Sequence, residues 1–206
     1  MRLALRALAA TVLAAFAAGC GSSTTSTPVA TTAPVAAAPE FRGGVINQPD
    51  TTPDIRLRNV DGKLVTLRGQ KGNVTFVIFV YARCPDICPL IVENLKRVQD
   101  LHPKDKPRIL AVSVDPKGDT TKVVRAFLRQ HRMGGRMEYL VGSRAQLEPV
   151  WADWAIARDV PTSDPELVEH SGQIYGVTAS GVRETIYPID FPVADISADV
   201  PLLAAR

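Results

Sequence analysis

Cysteine, histidine, methionine and tryptophan are all scarce in this chain of 206 residues, which holds 3 Cys, 3 His, 3 Met and 2 Trp. So few thiols exclude a disulfide-stapled fold, and they confine any thiol or imidazole chemistry to a handful of positions. No block of Lys or Arg suggests nucleic acid, and the charges are spread as on a solvated surface. The apolar run Ala7 to Ala18 is too short to cross a bilayer as a helix; preceded by Arg2 and Arg6, it reads as a signal peptide. Loss of those two arginines takes the formal net charge from +3 to +1, so the mature protein is near neutral. There are no internal repeats.

The apolar run closes on Ala17-Ala18-Gly19-Cys20, a cysteine after small residues, which resembles the lipobox of bacterial lipoproteins. Cys20 is then the lipidated N-terminus; ordinary cleavage near Ala18 would leave it a stray thiol. The stretch after it is almost entirely Ser, Thr, Ala, Pro and Val without a charge, a composition that buries too little apolar surface to fold and suits a tether. The expected organisation is a signal peptide over 1–20, a tether over 21–44, and one domain over 45–206, long enough for an adequate core. That places the domain on the extracytoplasmic face of a bacterial membrane, in the periplasm or on the exterior of the cell envelope, held by a lipid anchor.

Within the domain, Ile55 to Leu67 alternates apolar and polar residues around Asp61-Gly62, a pair that favours a tight hairpin turn because both central residues can take positive φ. Val74 to Tyr81 is an unbroken β-branched and aromatic run, as in a central strand covered on both faces. Leu90, Ile91, Leu95, Val98 and Leu101 recur at helical spacing, with Pro89 in the first turn. A second buried strand (Arg108 to Val114), a helix starting at Asp119-Thr120, a short strand (Glu138 to Val141) and a helix from Ser143 to about Ala157 follow, Trp151 and Trp154 of the last lying in the core. A hairpin over 173–187 and a short C-terminal helix complete an α/β sandwich around a mixed sheet.

Cys84-Pro85-Asp86-Ile87-Cys88-Pro89 falls between a central strand and the next helix, where open α/β sheets place their ligand sites. A helix N-terminus lowers a thiol's pKa and favours the thiolate that binds metals or attacks disulfides. Three residues separate the cysteines, a bite wide enough for two sulfurs on one ion; soft sulfur selects Cu(I), and an added imidazole also accommodates Cu(II). Of the histidines, His102 sits at a helix end and His131 lies among Arg and Gln, both as solvated side chains. His170 sits in a loop before a strand, where ligands are presented, or is an ordinary loop histidine. Asp86 and Asp115 stand beside the ligand positions, or merely cap helices and shape turns.

Taken together, Cys84-Pro85-Asp86-Ile87-Cys88-Pro89 after a strand ending in an aromatic, Ser113-Val114-Asp115-Pro116 with Asp119-Thr120, His170-Ser171 and the N-terminal anchor resemble the Sco/SenC family of copper chaperones over roughly Asp54 to Tyr187. Glu169, Ala82-Arg83 and Thr121 depart from the family's usual residues, and none of them removes a ligand. The resemblance implies a thioredoxin-like fold with added terminal hairpins and a copper site of Cys84, Cys88 and His170. It also implies delivery of copper to the dinuclear centre of cytochrome c oxidase subunit II or another cuproprotein, with other copper donors upstream and a thiol reductant to keep both cysteines reduced. Two other readings use the same cysteines. One is a thiol–disulfide oxidoreductase in which Cys84 attacks and Cys88 resolves, which leaves His170 without a role. The other is a structural Cys84–Cys88 disulfide, which constrains little chain and stabilises little.

Overall fold

The computed structural model describes residues 40–47, 52–159 and 168–206. The signal peptide, Cys20 and most of the tether lie outside these residues.

Ten strands and four helices follow one another: β1 (Gly44–Val45), β2 (Arg56–Asn59), β3 (Leu64–Thr66), β4 (Thr75–Val80), α1 (Ile87–Leu101), β5 (Arg108–Ser113), α2 (Thr121–Gln130), β6 (Glu138–Val141), α3 (Arg144–Asp153), β7 (Arg158–Asp159), β8 (Glu169–His170), β9 (Ile174–Val177), β10 (Arg183–Tyr187) and α4 (Val193–Ala204). Eight strands form one mixed sheet in the order β1-β10-β9-β4-β5-β6-β2-β3, and β7 and β8 make a separate two-stranded ribbon. β4, β5 and β6 are parallel, whereas β9 runs antiparallel to β4. This β–α–β unit followed by a hairpin and a helix is the thioredoxin-like arrangement.

Every residue of β4 is buried, as its continuous apolar run requires. Side chains alternate across the sheet, so Phe79 meets Trp154 on one face at a ring separation of 6.0 Å, while Phe76 meets Tyr187 on the other at 6.3 Å. Trp154 caps α3, which therefore covers the first face. On the second, Tyr187 donates to Asp199 of α4, α4 meets α1 through Ser197 and His102, and Phe127 of α2 packs on Tyr139, whose register partner Ala111 opposes Ile78. Three layers result, with α1, α2 and α4 on one side and α3 on the other.

The hairpin around Asp61-Gly62 forms, but only Gly62 has positive φ (81°). The side chain of Asn59 accepts from the Asp61 and Lys63 amides instead, supplying the turn's bonds without a second left-handed residue. Leu90 and Leu101, expected on the buried face of α1, are 48% and 60% exposed; Ile91, Val92, Leu95 and Val98 form that face. α3 stops at Asp153 rather than near Ala157. Ala155 turns to φ 54° and the Ile156 amide donates back to the Trp151 carbonyl, which closes the helix. Ahead of β1, the Arg42 and Gly43 amides donate to the buried carboxylate of Asp199, so the segment is tied to α4 before the sheet begins.

Candidate metal centre

The chain leaves β4 at Tyr81, turns through Cys84, whose amide donates to the Tyr81 carbonyl, and enters α1 at Ile87. Cys88 therefore sits in the first helical turn and its amide donates to Cys84 Sγ at 3.4 Å. The backbone amides of Asp86 and Ile87 reach the same sulfur. Both cysteines are free thiols, Cys84 8% exposed and Cys88 wholly buried.

The pair is electrostatically unequal. The Cys88 thiol donates to Cys84 and, with the helix-start amides, holds Cys84 down to about 5 despite its burial. Cys88 is pushed up well beyond the thiol range, because that donated bond, its burial and the neighbouring Cys84 charge all favour the protonated form. One proton thus serves two sulfurs, with Cys84 as the thiolate.

His170 lies in the β7–β8 ribbon, opposite Arg158, and not in a loop as its sequence neighbourhood suggests. Its Nδ1 is 2.9 Å from the Ser171 carbonyl oxygen; with that bond donated, Nε2 keeps a free lone pair. Burial holds its pKa below the ordinary value, so the imidazole is neutral near pH 7. Its ring meets Tyr81 edge-on at 6.0 Å, and it feels the charge of Cys84. The structure therefore brings the three candidates to one end of the sheet. Among the described residues, however, no group of three or more His, Cys, Asp or Glu is gathered closely enough to enclose a metal.

The parts that three neighbours play at the site escaped sequence reasoning. Tyr81 lies between the thiols and His170: its hydroxyl hydrogen-bonds Cys84, and burial pushes its pKa up to about 12. The aromatic end of the β4 run was the available signal. Arg158 donates from Nε to the Val114 carbonyl and lays its guanidinium over Trp151 at 5.1 Å, fastening the ribbon that carries His170. Asp119 accepts from the Ala82 amide at 2.8 Å, Ser113 Oγ at 2.6 Å and the Tyr139 hydroxyl at 2.8 Å, which ties the loop into Cys84 to the end of β5.

Asp86 occupies the N-cap position of α1 but makes no side-chain capping bond, and it is exposed. Asp115 shapes the turn after β5 by accepting from the Lys117 and Gly118 amides, and Thr120, not Asp115, caps α2. A Cβ at Gly118 would meet Asp115 Oδ2 at 1.9 Å, which explains the glycine. His102 bonds Ser197 at the far end of α1, about 20 Å of helix from Cys88. His131 stacks on Phe127.

Residues 44–204 match the family described as SCO1/SenC. A SCO2-like protein of Rickettsia felis is 28% identical over 134 residues, 62% of this chain and 64% of that protein. The mitochondrial protein SCO2 of Saccharomyces cerevisiae is 30% identical over 132 residues, 61% of this chain and 43% of its own length. The chain thus spans less than two thirds of either relative. Among solved structures, Bradyrhizobium japonicum ScoI with copper bound superposes with a TM-score of 0.61 at 27% identity, covering 73% of this chain and 98% of that one. No helix of the described residues is long and apolar enough to cross a membrane.

Proposed function

The chain belongs to the SCO1/SenC family, and from that premise we propose that it is a copper metallochaperone that holds one copper ion through Cys84, Cys88 and His170. The observation that carries this reading is the pair of free thiols at the start of α1, with the Cys88 amide on Cys84 Sγ at 3.4 Å, beside an imidazole whose Nδ1 is bonded to the Ser171 carbonyl so that Nε2 is free. Cu(I) displaces the proton held by Cys88 and takes two soft sulfurs, while His170 completes a trigonal set that Cu(II) also accepts. Because the three residues are not closed around a common point, binding draws the β7–β8 ribbon toward the thiols. A three-ligand set suits a carrier, since a partner's thiolate can enter as a fourth ligand before His170 leaves.

The recipient in this reading is the dinuclear copper centre of cytochrome c oxidase subunit II or a comparable cuproprotein. Copper donors act upstream, and a thiol reductant restores the pair. Anchorage through Cys20 on the extracytoplasmic face of the membrane keeps the domain beside such a recipient.

The inequality of the thiols supports a second reading, reduction of a partner's disulfide. The Cys84 thiolate attacks one partner sulfur and expels the other as a thiolate. Cys88, deprotonated in turn, attacks Cys84 Sγ, releases the second partner thiol and leaves a Cys84–Cys88 disulfide. Anaerobic Cu(I) titration of the reduced protein against a competing chelator tests the first reading. One equivalent bound tightly, lost in Cys84→Ser and markedly weakened in His170→Ala, is expected; binding no tighter than that of the Cys84→Ser variant would leave the redox pair or the structural disulfide.

A further inference from the structure

One concavity lies well away from the thiols. A cavity of about 540 Å³ opens between the β2–β3 turn, the end of α2, the 134–136 turn and the first residues of β5 and β6. It sits at the opposite end of β5 from Ser113, about 17 Å along the strand from the loops around the cysteines.

Five cations line it, Lys63, Arg108, Arg125, Arg129 and Arg136, against two acids, Asp61 and Glu138. Asp61 is engaged by Arg125 at 2.8 Å, and Glu138 accepts from the Asn59 side chain at 2.7 Å. Arg136 pairs through Nη2 with Asp100, which lies outside the lining, while its buried Nη1 has no hydrogen-bond partner. Lys63, Arg108 and Arg129 have no acidic partner within ion-pair distance among the described residues. Beneath this rim the lining is apolar and aromatic, with Ile109, Leu128 and Tyr139. Solvent alone would satisfy such cations anywhere on the surface; what sets these apart is their convergence on one concave space with an apolar floor.

From this arrangement we propose that the cavity is a binding site for a phosphoryl-bearing organic anion, separate from the thiol site and independent of the copper reading. Guanidinium forks match phosphoryl oxygens two at a time, and the net two positive charges left once Glu138 is set against Lys63, Arg108 and Arg129 suit a dianion better than a lone carboxylate. The apolar floor takes the organic body that carries the phosphate. The phosphate can belong to a soluble monoester or to the headgroup of an anionic lipid.

The test uses the full chain in an uncharged detergent with phenyl phosphate as the soluble probe, followed by calorimetry. A second arm compares flotation with phosphatidylglycerol vesicles and with phosphatidylcholine vesicles, on which any lipid anchor acts equally. Both arms are repeated on the Arg108→Gln/Arg129→Gln double variant, whose exposed side chains leave the core untouched; an unchanged thermal melt verifies the fold. Saturable phenyl phosphate binding, weakened about tenfold or more in the double variant and falling with salt, is expected for a soluble ligand. A phosphatidylglycerol preference that the double variant loses, without phenyl phosphate binding, assigns the phosphate to a lipid headgroup. Absence of binding in both arms, or binding of equal strength in the double variant, overturns the proposal.

Discussion

Asp119 offers a sharp test of how the loop before Cys84 is held, because it is a buried carboxylate that accepts three hydrogen bonds and has no cation beside it. Burial raises its pKa from the ordinary 3.8 to about 6, and the bonds from Ser113, Ala82 and Tyr139 only partly offset that. The folded state therefore holds this proton more tightly than the unfolded chain. Stability from this group is fully present below pH 3.8 and is lost as the pH rises to about 6. The difference of some two units corresponds to about 3 kcal/mol. In Asp119→Asn the side-chain oxygen still accepts from the Ala82 amide, but nothing ionises. Urea unfolding of the reduced wild type and Asp119→Asn at several pH values between about 4 and 7 isolates the effect, since titrating groups that Asp119 does not touch cancel in the difference. The variant's stability relative to wild type should rise by about 2 kcal/mol across that range, the remainder of the full effect lying below pH 4. A difference that stays within about 1 kcal/mol across the range would refute the buried, unpaired carboxylate as the origin.

Two further predictions concern the site. Alkylation of Cys84 by iodoacetamide should follow a midpoint near pH 5 in the wild type. In Cys88→Ala, which removes the donated thiol proton, it should move up by about one unit or more; an unmoved midpoint would assign the acidity to the helix amides alone. Arg158→Ala removes the bond to the Val114 carbonyl and the stack on Trp151 that fasten the ribbon of His170. Cu(I) affinity in the chelator competition should fall by about tenfold with little change in the urea midpoint, and an unchanged affinity would free Arg158 from any positioning role.

Periodicity and punctuation carried far in this chain. The continuous run at β4, the 3.6-residue pattern of α1, the Asp61-Gly62 turn and the helix start at Asp119-Thr120 all act over a few residues, and all appear where the sequence places them. The two cysteines were legible for the same reason, since four residues of chain decide that both flank the first turn of α1. His170 drew notice from its place before a strand, but only its company in the Sco/SenC pattern told it from an ordinary loop histidine. Its seat in a two-stranded ribbon depends on pairing with Arg158, which no local pattern announces. The exposure of Leu90 and Leu101 shows the limit of counting apolar positions: helical spacing defines a stripe, and only the neighbours of α1 decide how wide a stripe is covered.

By itself, then, the sequence determined the parallel strand–helix core, the thiol pair at a helix start and the scarcity of other ligands, because backbone preference and side-chain period are local. Tertiary structure alone decided that Asp119 grips Ala82 across 37 positions and that Tyr81 stands between the thiols and His170. It also converged five cations from four segments on one cavity. Those outcomes depend on which strands become neighbours in the sheet, and the long-range packing that sets the strand order leaves no short-range mark on the chain.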